Sequence, residues 1–446
     1  MAEPGAPGPA AAPIRRDALP GLMIATMLGA SIAHGIAPAF PREVGALAAW
    51  IAGCAVWTRL PRRAQVQVGL MIGIGLACIA AAAGRGVEVD WGDVTGRSLP
   101  ILTLLAGVAF LRLVYVADAA RGAGAAAPRG FGAYLRTMAG VHLFGAVINI
   151  SALVVFADRL ARSGPLGRRE ITMLARSYSM VAYYSPFIGG VALALGLVPG
   201  VRFPELVLTG VALAAIGFLV IAVAGRLEEG EAMSGFKGYP FRLESLWLPF
   251  VLVGSVAAAH WRWPSLSVLL LVALLAPLLA AAVLAARAGP VGAIRTVAWF
   301  AVTGLPGMSG ELTLFLAAGV LGGGLTALVS AYPAMVPAFA LDPATGTLAL
   351  AGIVLCAMAG VHPLVSVTAL VAVALPASPD PTLLAVVCVT GWGIGSVAGP
   401  YSGINLVLAA RCGVSSWLLA RWNAVYCAAM VLAAAVVFAG HGALVR

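Results

Sequence analysis

Two short stretches of this sequence combine a hydroxyl, a helix-breaking proline and glycines inside apolar runs. One is Tyr183-Tyr184-Ser185-Pro186-Phe187-Ile188-Gly189-Gly190. The other is Ser396-Val397-Ala398-Gly399-Pro400-Tyr401-Ser402-Gly403-Ile404-Asn405. Proline lacks a backbone donor and clashes with the preceding turn, so each stretch should interrupt a helix. In an apolar environment the freed N–H and C=O groups have no water, and such a break survives where it lines a cavity or binds something. The half-helix that starts after a break presents N–H groups and a positive dipole end, suited to an anionic group. Carbonyls freed on the other side suit Na⁺. Ser185, Pro186, Gly189, Gly190, Gly399, Pro400, Ser402, Gly403 and Asn405 are therefore the candidate substrate-binding residues. Na⁺ is a candidate coupling ion, and neither a resident metal nor another cofactor is expected. One such stretch alone reads as a packing kink; two at matching positions favour a site.

Polar groups inside apolar runs mark substrate, ion or proton pathways. His142 and His362 each follow Ala-Gly-Val, a pairing that favours a pathway role over two unrelated packing residues. Glu311, at the start of a long apolar run, is either a helix-end carboxylate facing water or a coupling group. Asn149 and Asn423 can bond across helices, and Arg112 either snorkels or meets a carboxylate. His142, His362, Glu311 and Asn149 form the candidate coupling set.

The motif Gly307-Met308-Ser309-Gly310 admits a rival chemistry. It fits the Gly-x-Ser-Gly of rhomboid intramembrane serine proteases, with His362 on a later helix as the base. The match spans four residues in a chain with 54 glycines, and rhomboids have fewer helices than this chain has apolar runs. A non-enzymatic protein is the expectation.

The elements that must position these residues follow from composition. Of 446 residues, 61% are hydrophobic and 10% charged, against about 25% charged in soluble domains. With a mean hydropathy of +1.01, the chain reads as an all-α polytopic membrane protein. Its net charge of +10 lies in short arginine-bearing loops such as Arg59–Arg63, the pattern of cytoplasmic loops rather than of nucleic-acid binding. The bilayer is the expected partner, and the bacterial cytoplasmic (inner) membrane the expected location. The six cysteines form no CxxC pair and imply neither a disulfide framework nor zinc.

Apolar runs place helices at roughly 20–39, 44–58, 66–84, 99–118, 131–157 and 203–224. Others fall at roughly 246–260, 265–287, 309–331, 347–375 and 416–440, which makes about 11 spans. The interrupted runs near 170–200 and 380–412 are read as re-entrant helical hairpins. Residues 1–18 form a disordered lead-in, and the first apolar run an uncleaved helix rather than a signal peptide. Residues 19–98 supply scaffold helices and 225–297 a solvated linker with connecting helices.

Three matches relate the halves. Leu102–Val108 resembles Leu312–Val320, Ala139-Gly140-Val141-His142 recurs as Ala359-Gly360-Val361-His362, and Ser185–Gly189 matches Gly399–Gly403. Their order and similar offsets indicate a duplicated unit, residues 99–224 and 298–446. Each unit has three crossings and one non-crossing hairpin, so the two copies should form two inverted structural repeats. The arginines conflict with part of this layout. Arg121 and Arg129 precede the run at 131–157 and Arg136 lies in its opening turns, while Arg159, Arg162, Arg168, Arg169 and Arg176 follow it. Both loops read as cytoplasmic, which one full crossing cannot satisfy. Either 159–176 begins as a surface helix, or the run at 131–157 does not cross fully.

This arrangement resembles the ion transporter superfamily, which includes the divalent-anion/sodium symporters and the arsenite and citrate permeases. The resemblance covers roughly residues 99–440. It implies inverted repeats, hairpin tips meeting at a midplane site for a small-molecule or ion substrate, coupling to Na⁺ or H⁺, and a homodimer. The dicarboxylate symporters carry Ser-Asn-Thr at each tip, whereas this chain has Tyr-Ser-Pro and Gly-Pro-Tyr-Ser, so the substrate does not transfer. With no Walker motif, a gradient-driven carrier is the expected class.

Overall fold

Helix caps set the frame of this chain. Asp342 accepts from Thr345 N–H, Asp380 from Leu383 N–H and Ser402 from Asn405 N–H. Proline fills the first turn after Asp342, His362 and Asp380, where its missing N–H costs nothing. In the computed structural model, residues 14–114, 128–162, 164–239, 247–335, 340–377 and 379–444 are described. Among them there is no strand, only an isolated bridge between Arg129 and Lys237.

The helices are α1 (Ile14–Ile36), α2 (Arg42–Val56), α3 (Arg62–Ala83), α4 (Trp91–Gly96) and α5 (Leu99–Ala109). Next come α6 (Phe131–Ile148), α7 (Ile150–Ala161), α8 (Arg168–Ser179), α9 (Gly189–Leu197) and α10 (Phe203–Glu229). They are followed by α11 (Trp247–Arg262), α12 (Val268–Thr303), α13 (Ser309–Ala331), α14 (Pro343–Met358) and α15 (Pro363–Ala374). The last are α16 (Pro381–Ala398), α17 (Gly403–Cys412) and α18 (Ser416–Leu444). Helix α1 begins inside the expected lead-in, whose residues 1–13 lie outside the described residues, as do 115–118 of the expected helix at 99–118 and Arg121. Helix α12 runs past 287 to Thr303, kinked at Gly289 (φ 77°).

Helix α10 is a ruler for the molecule. Its 27 residues span about 40 Å at 1.5 Å per residue. It starts beside Arg202, which bonds Asp380 (3.1 Å) and takes the Thr382 hydroxyl on its backbone N–H (3.0 Å). It finishes with Arg226 over the Phe131 ring (5.2 Å). Arg202 and Asp380 thus mark one end, A, and Phe131 the other, B. At end A, burial alone would push the Asp380 carboxyl up, but the Leu383 N–H and the Arg202 guanidinium hold it below the usual carboxylate range. Seven of the ten tryptophans fall near these ends with rings at least a third exposed: Trp91, Trp261 and Trp263 toward A, Trp57, Trp247, Trp299 and Trp417 toward B. This is the placement of an aromatic belt at two membrane interfaces.

With the ends fixed, the direction of each broken segment follows, and it differs from the sequence-based layout. Tyr239 at end B bonds Thr137 of α6 (N to Oγ1, 2.8 Å) and also stacks on Phe156 of α7 (4.4 Å) and Arg159 (5.6 Å). The chain therefore reverses at Asn149 (φ 55°), and 131–161 is a hairpin entering from end B rather than one spanning helix. By contrast α8 begins at end B, with Arg169 over Phe236 (5.3 Å), and α9 leads to Arg202 at end A. The stretch at 170–200 is thus a broken helix that runs from end to end, not a hairpin.

The second half repeats this in reverse. Helix α14 packs alongside α16, with Gly346 on Val387 and Gly391 on Ile353. The chain turns at Gly360 (φ 100°), and α15 returns toward end A, where the short link from Ala374 meets Pro381. Helices α16 and α17 then run from Asp380 at end A to Arg411, which bonds Asp158 (2.7 Å) at end B. Pro381–Cys412 is long and apolar enough to cross a membrane as one stretch, whereas Pro343–Met358 and Pro363–Ala377 are shorter. So the hairpin of this half is 343–374, not 380–412.

A mid-helix proline and glycine interrupt an apolar run whichever way the chain continues, so the break itself does not encode direction. Corresponding helices begin 212 to 214 residues apart: 343 against 131, 363 against 150, 381 against 168, 403 against 189 and 416 against 203. The linker also differs from expectation. Met233 and Phe236 are buried, and Gly238 N–H donates to Pro128 O (2.8 Å), clamping the base of the first hairpin. Residues 240–246 of that linker lie outside the described residues.

Candidate functional site

Four half-helices, α7, α9, α15 and α17, start near the middle of the molecule, and four others end there. The tips of the hairpins, Asn149 and Gly360–His362, face the breaks at 180–188 and 399–402. Gly403 lies against Ile150 of the first tip, and Gly360 against the Tyr401 ring. Every half-helix start brings unpaired N–H groups, and every end unpaired carbonyls.

The first half satisfies these groups across elements. Ser185 Oγ donates to the Ala146 carbonyl (2.7 Å), tying the break to the hairpin. Asn149 Oδ1 accepts from its neighbour Ile150 N–H (2.7 Å) and from the Tyr178 hydroxyl. His142 is buried, with Nδ1 3.0 Å from the Ser177 carbonyl and Nε2 2.8 Å from the Tyr184 hydroxyl. A carbonyl only accepts, so Nδ1 carries the proton and Nε2 accepts from Tyr184. The Phe218 ring closes over the imidazole edge-on (4.9 Å).

The second half is satisfied within one broken helix. Asn405 is fully buried, and its Nδ2 donates to the carbonyls of Val397 and Gly399, both at 2.9 Å. Ser402 Oγ caps α17 by accepting from Asn405 N–H (3.2 Å). At the tip, His362 Nδ1 accepts from Leu364 N–H (3.1 Å), capping α15. Its ring meets Trp392 edge-on (5.6 Å).

Trp392 is the residue that sequence reasoning missed. It stacks on Phe315 of α13 (6.1 Å, 8° between planes) as well as touching His362. A Cβ on Gly190 would come within 2.5 Å of its ring, so only glycine lets the break approach so closely. One side chain thus joins α13, the first break and the second hairpin tip. The signal was present in Gly391-Trp392-Gly393-Ile394-Gly395: a tryptophan among glycines deep in an apolar run, away from the interfaces where this residue collects.

The remaining candidates fall into place individually. Pro186, Gly189 and Gly190 lie in the first break, and Gly399, Pro400, Ser402 and Gly403 in the second. Glu311, in the first turn of α13, is within electrostatic reach of Arg112 and Tyr178. Asn423 accepts from the buried Arg176 (2.8 Å). His142 and His362 are not structural counterparts. They stand 220 residues apart while the helices repeat at 212 to 214, so the counterpart of His362 is Asn149, each being the cap of a returning hairpin arm. The rhomboid alternative gains no support. Ser309 commits its only proton to the Pro306 carbonyl, so its hydroxyl is not donated to His362.

No family model matches the chain, and no curated protein matches it. Among solved structures it is similar to the YdaH transporter of Alcanivorax borkumensis, whose crystal structure is described as having an unusual topology. Identity is 12%, the TM-score 0.53, and the match covers 84% of this chain and 98% of that one. The two share a fold, that of an all-α, multi-pass membrane protein.

Proposed function

We propose that this protein is a secondary active transporter that moves a small anionic solute across the bacterial cytoplasmic membrane, driven by Na⁺ or H⁺. The observation that carries this reading is the convergence of two hairpins, entering from opposite ends, on two helices broken at the same depth. Such breaks are costly in a membrane unless they line a binding site, and binding between opposed broken helices is how many carriers alternate access. The shared fold with a transporter supports the same class.

In this reading residues 99–229 and 309–444 are inverted repeats, and the chain is a branch of the ion transporter superfamily. Ser185, Asn149, Ser402, Asn405 and the glycines beside them would hold the solute or Na⁺. An anion is favoured because four half-helix N-termini point into one region. The buried His142–Tyr184 pair favours H⁺ as the coupling ion, because a second proton on His142 must displace the Tyr184 donor. End B gathers Arg59, Arg62, Arg63, Arg129, Arg159, Arg162, Arg168, Arg169 and Arg411, which makes it the cytoplasmic end.

Uptake into proteoliposomes tests the reading, using dicarboxylates, citrate, sulfate and arsenite with imposed Na⁺ or pH gradients. At least one solute should accumulate only under a gradient, and Ser185→Ala and Ser402→Ala should lose uptake while remaining folded. Unchanged uptake in both variants would remove the site. The orientation predicts an active alkaline phosphatase when that enzyme is fused after Leu444, and an inactive fusion would reverse it.

A further inference from the structure

Tyr401 sits in the second break, and three other segments meet its ring. Gly360, at the tip of the second hairpin, packs so close that a Cβ there would come within 3.1 Å of the ring. Trp417, in the first turn of α18, meets it edge-on, with centroids 5.7 Å apart and 83° between planes. The Arg63 guanidinium, from the first turn of α3, lies over the ring, 5.5 Å from its centroid. Helix α17 places the break about 15 Å inside end B, and the two long side chains span the gap between it and the start of α3.

Two features set this contact apart from ordinary packing. Arginines at a membrane rim carry their charge outward to water, and Arg63 makes no ion pair or hydrogen bond among the described residues. Its cation is held instead on an aromatic face, a contact that strengthens as water is excluded. The first half has no equivalent. Helix starts 403 and 189 correspond, so Tyr401 matches Phe187, which is 3% exposed and has no cation over it among the described residues. Tyr401 is only half-buried.

We propose that Arg63 and Trp417 form a latch on the Tyr401 ring that keeps the tip of the second hairpin seated on its broken helix. With the ring held, it covers Gly360; when Arg63 leaves, the ring is free to swing about its side-chain torsions and uncover the tip. Gly360 has φ 100°, a conformation that disfavours any Cβ, and a Cβ would also press on the ring. Glycine at this position therefore serves the contact as well as the turn. The latch works across the molecule. Its cation comes from end B, whereas the hairpin it holds enters from end A, so the state of one end reaches an element of the other. The device is a property of the fold and does not depend on the transport reading.

The test is amide exchange of the purified full chain in lipid nanodiscs, read at 359–366 with 145–152 as the internal reference. Arg63→Gln should speed exchange at 359–366 about threefold and Tyr401→Leu about tenfold, the scale of a cation–aromatic contact alone and of that contact with the ring's packing. Arg63→Lys should restore most of the protection. Tyr401→Phe should match the wild type within about twofold, because the ring face and not the hydroxyl carries the contact. Exchange at 145–152 should stay unchanged throughout, and Arg63→Gln added to Tyr401→Leu should have no further effect. Unchanged exchange in Arg63→Gln overturns the latch. Additive effects in the double variant also overturn it, because the two residues would then act separately, and so does faster exchange at both tips, which would be a general loosening. None of these readings uses uptake, so failure of the transport reading leaves the latch standing and failure of the latch leaves transport standing.

Discussion

The two hairpins share a topology but are held by different chemistry. The first is tied to its broken helix by hydrogen bonds that cross between elements: Ser185 to Ala146, Tyr178 to Asn149 and Tyr184 to His142. Its base is also clamped by Arg411–Asp158 and by the loop at Phe236–Tyr239. The second touches its broken helix through packing, with Gly395 on Ala357 and Pro363, Gly360 on Tyr401, and His362 on Trp392. Its freed polar groups are satisfied internally, by His362 at the tip and by Asn405 in the break. Directional bonds fix one relative position, whereas apolar and aromatic surfaces can slide and repack at lower cost. The second hairpin is therefore the freer of the two, and it opens toward end A.

The largest test of this contrast is at the breaks themselves. Asn405→Leu keeps the side-chain volume but strands two buried carbonyls, Val397 and Gly399. Each unsatisfied buried group costs about 1–3 kcal/mol. The loss is partly offset because Asn405 Oδ1 itself has no partner among the described residues. A net destabilisation of roughly 2–4 kcal/mol is expected. Ser185→Ala strands one carbonyl, Ala146, and should cost roughly 1–2 kcal/mol. Chemical unfolding in detergent measures both, and equal losses would mean that the breaks are not held differently.

A smaller effect concerns motion. Amide exchange in lipid should be about tenfold faster at 359–366 than at 145–152, corresponding to about 1.4 kcal/mol less protection. Tyr178→Phe should raise exchange at 145–152 toward the level of the second tip, because it removes the bond to Asn149. Equal protection of the two tips in the wild type would contradict the contrast.

The sequence carried much of this, though not always in the form that periodicity suggests. The breaks at Ser185–Pro186 and Gly399–Pro400 were legible because proline and glycine act locally. Whether a chain reverses or continues at a break depends on tertiary packing, and there the layout differed at 131–161 and 343–374. The arginines held the missing information. Arg129 and Arg136, just before and within the first two turns of α6, and Arg159–Arg169, from the last turn of α7 onward, conflict only if the run between them crosses; with a hairpin there, both groups sit toward end B. The repeated Ala-Gly-Val-His misled for the opposite reason, since common residues recur by chance in a chain this rich in alanine and glycine. It set the register seven residues away from the helix starts, which pair His362 with Asn149. Trp392 escaped because its role depends on Phe315, Gly190 and His362 arriving from three other segments.

The smallest expected effect lies at end A, where Arg202–Asp380 joins the exit of the first broken helix to the entry of the second. This ion pair and Arg411–Asp158 at end B both run to α16–α17, and neither reaches the second hairpin. Asp380 is held below the usual carboxylate range in the folded protein, and its unfolded value is about 3.9. A lowered folded value means that the pair's stabilisation is fully present above the unfolded value and is lost as pH falls through the folded one. The Arg202 and Asp380 side chains are 41% and 31% exposed, so solvent screening limits the pair to about 0.5 kcal/mol. Asp380→Asn keeps an acceptor for the cap while removing the charge. It should lower stability by about that amount at pH 7 and by progressively less as pH falls below the ordinary carboxylate range and the wild-type carboxyl takes up its proton. A loss above about 2 kcal/mol, or one that persists at acid pH, would make this tie a buried constraint between the halves. The freedom assigned to the second hairpin would then have to be reconsidered, because the helix it packs on would be held far more firmly than its surface ties suggest.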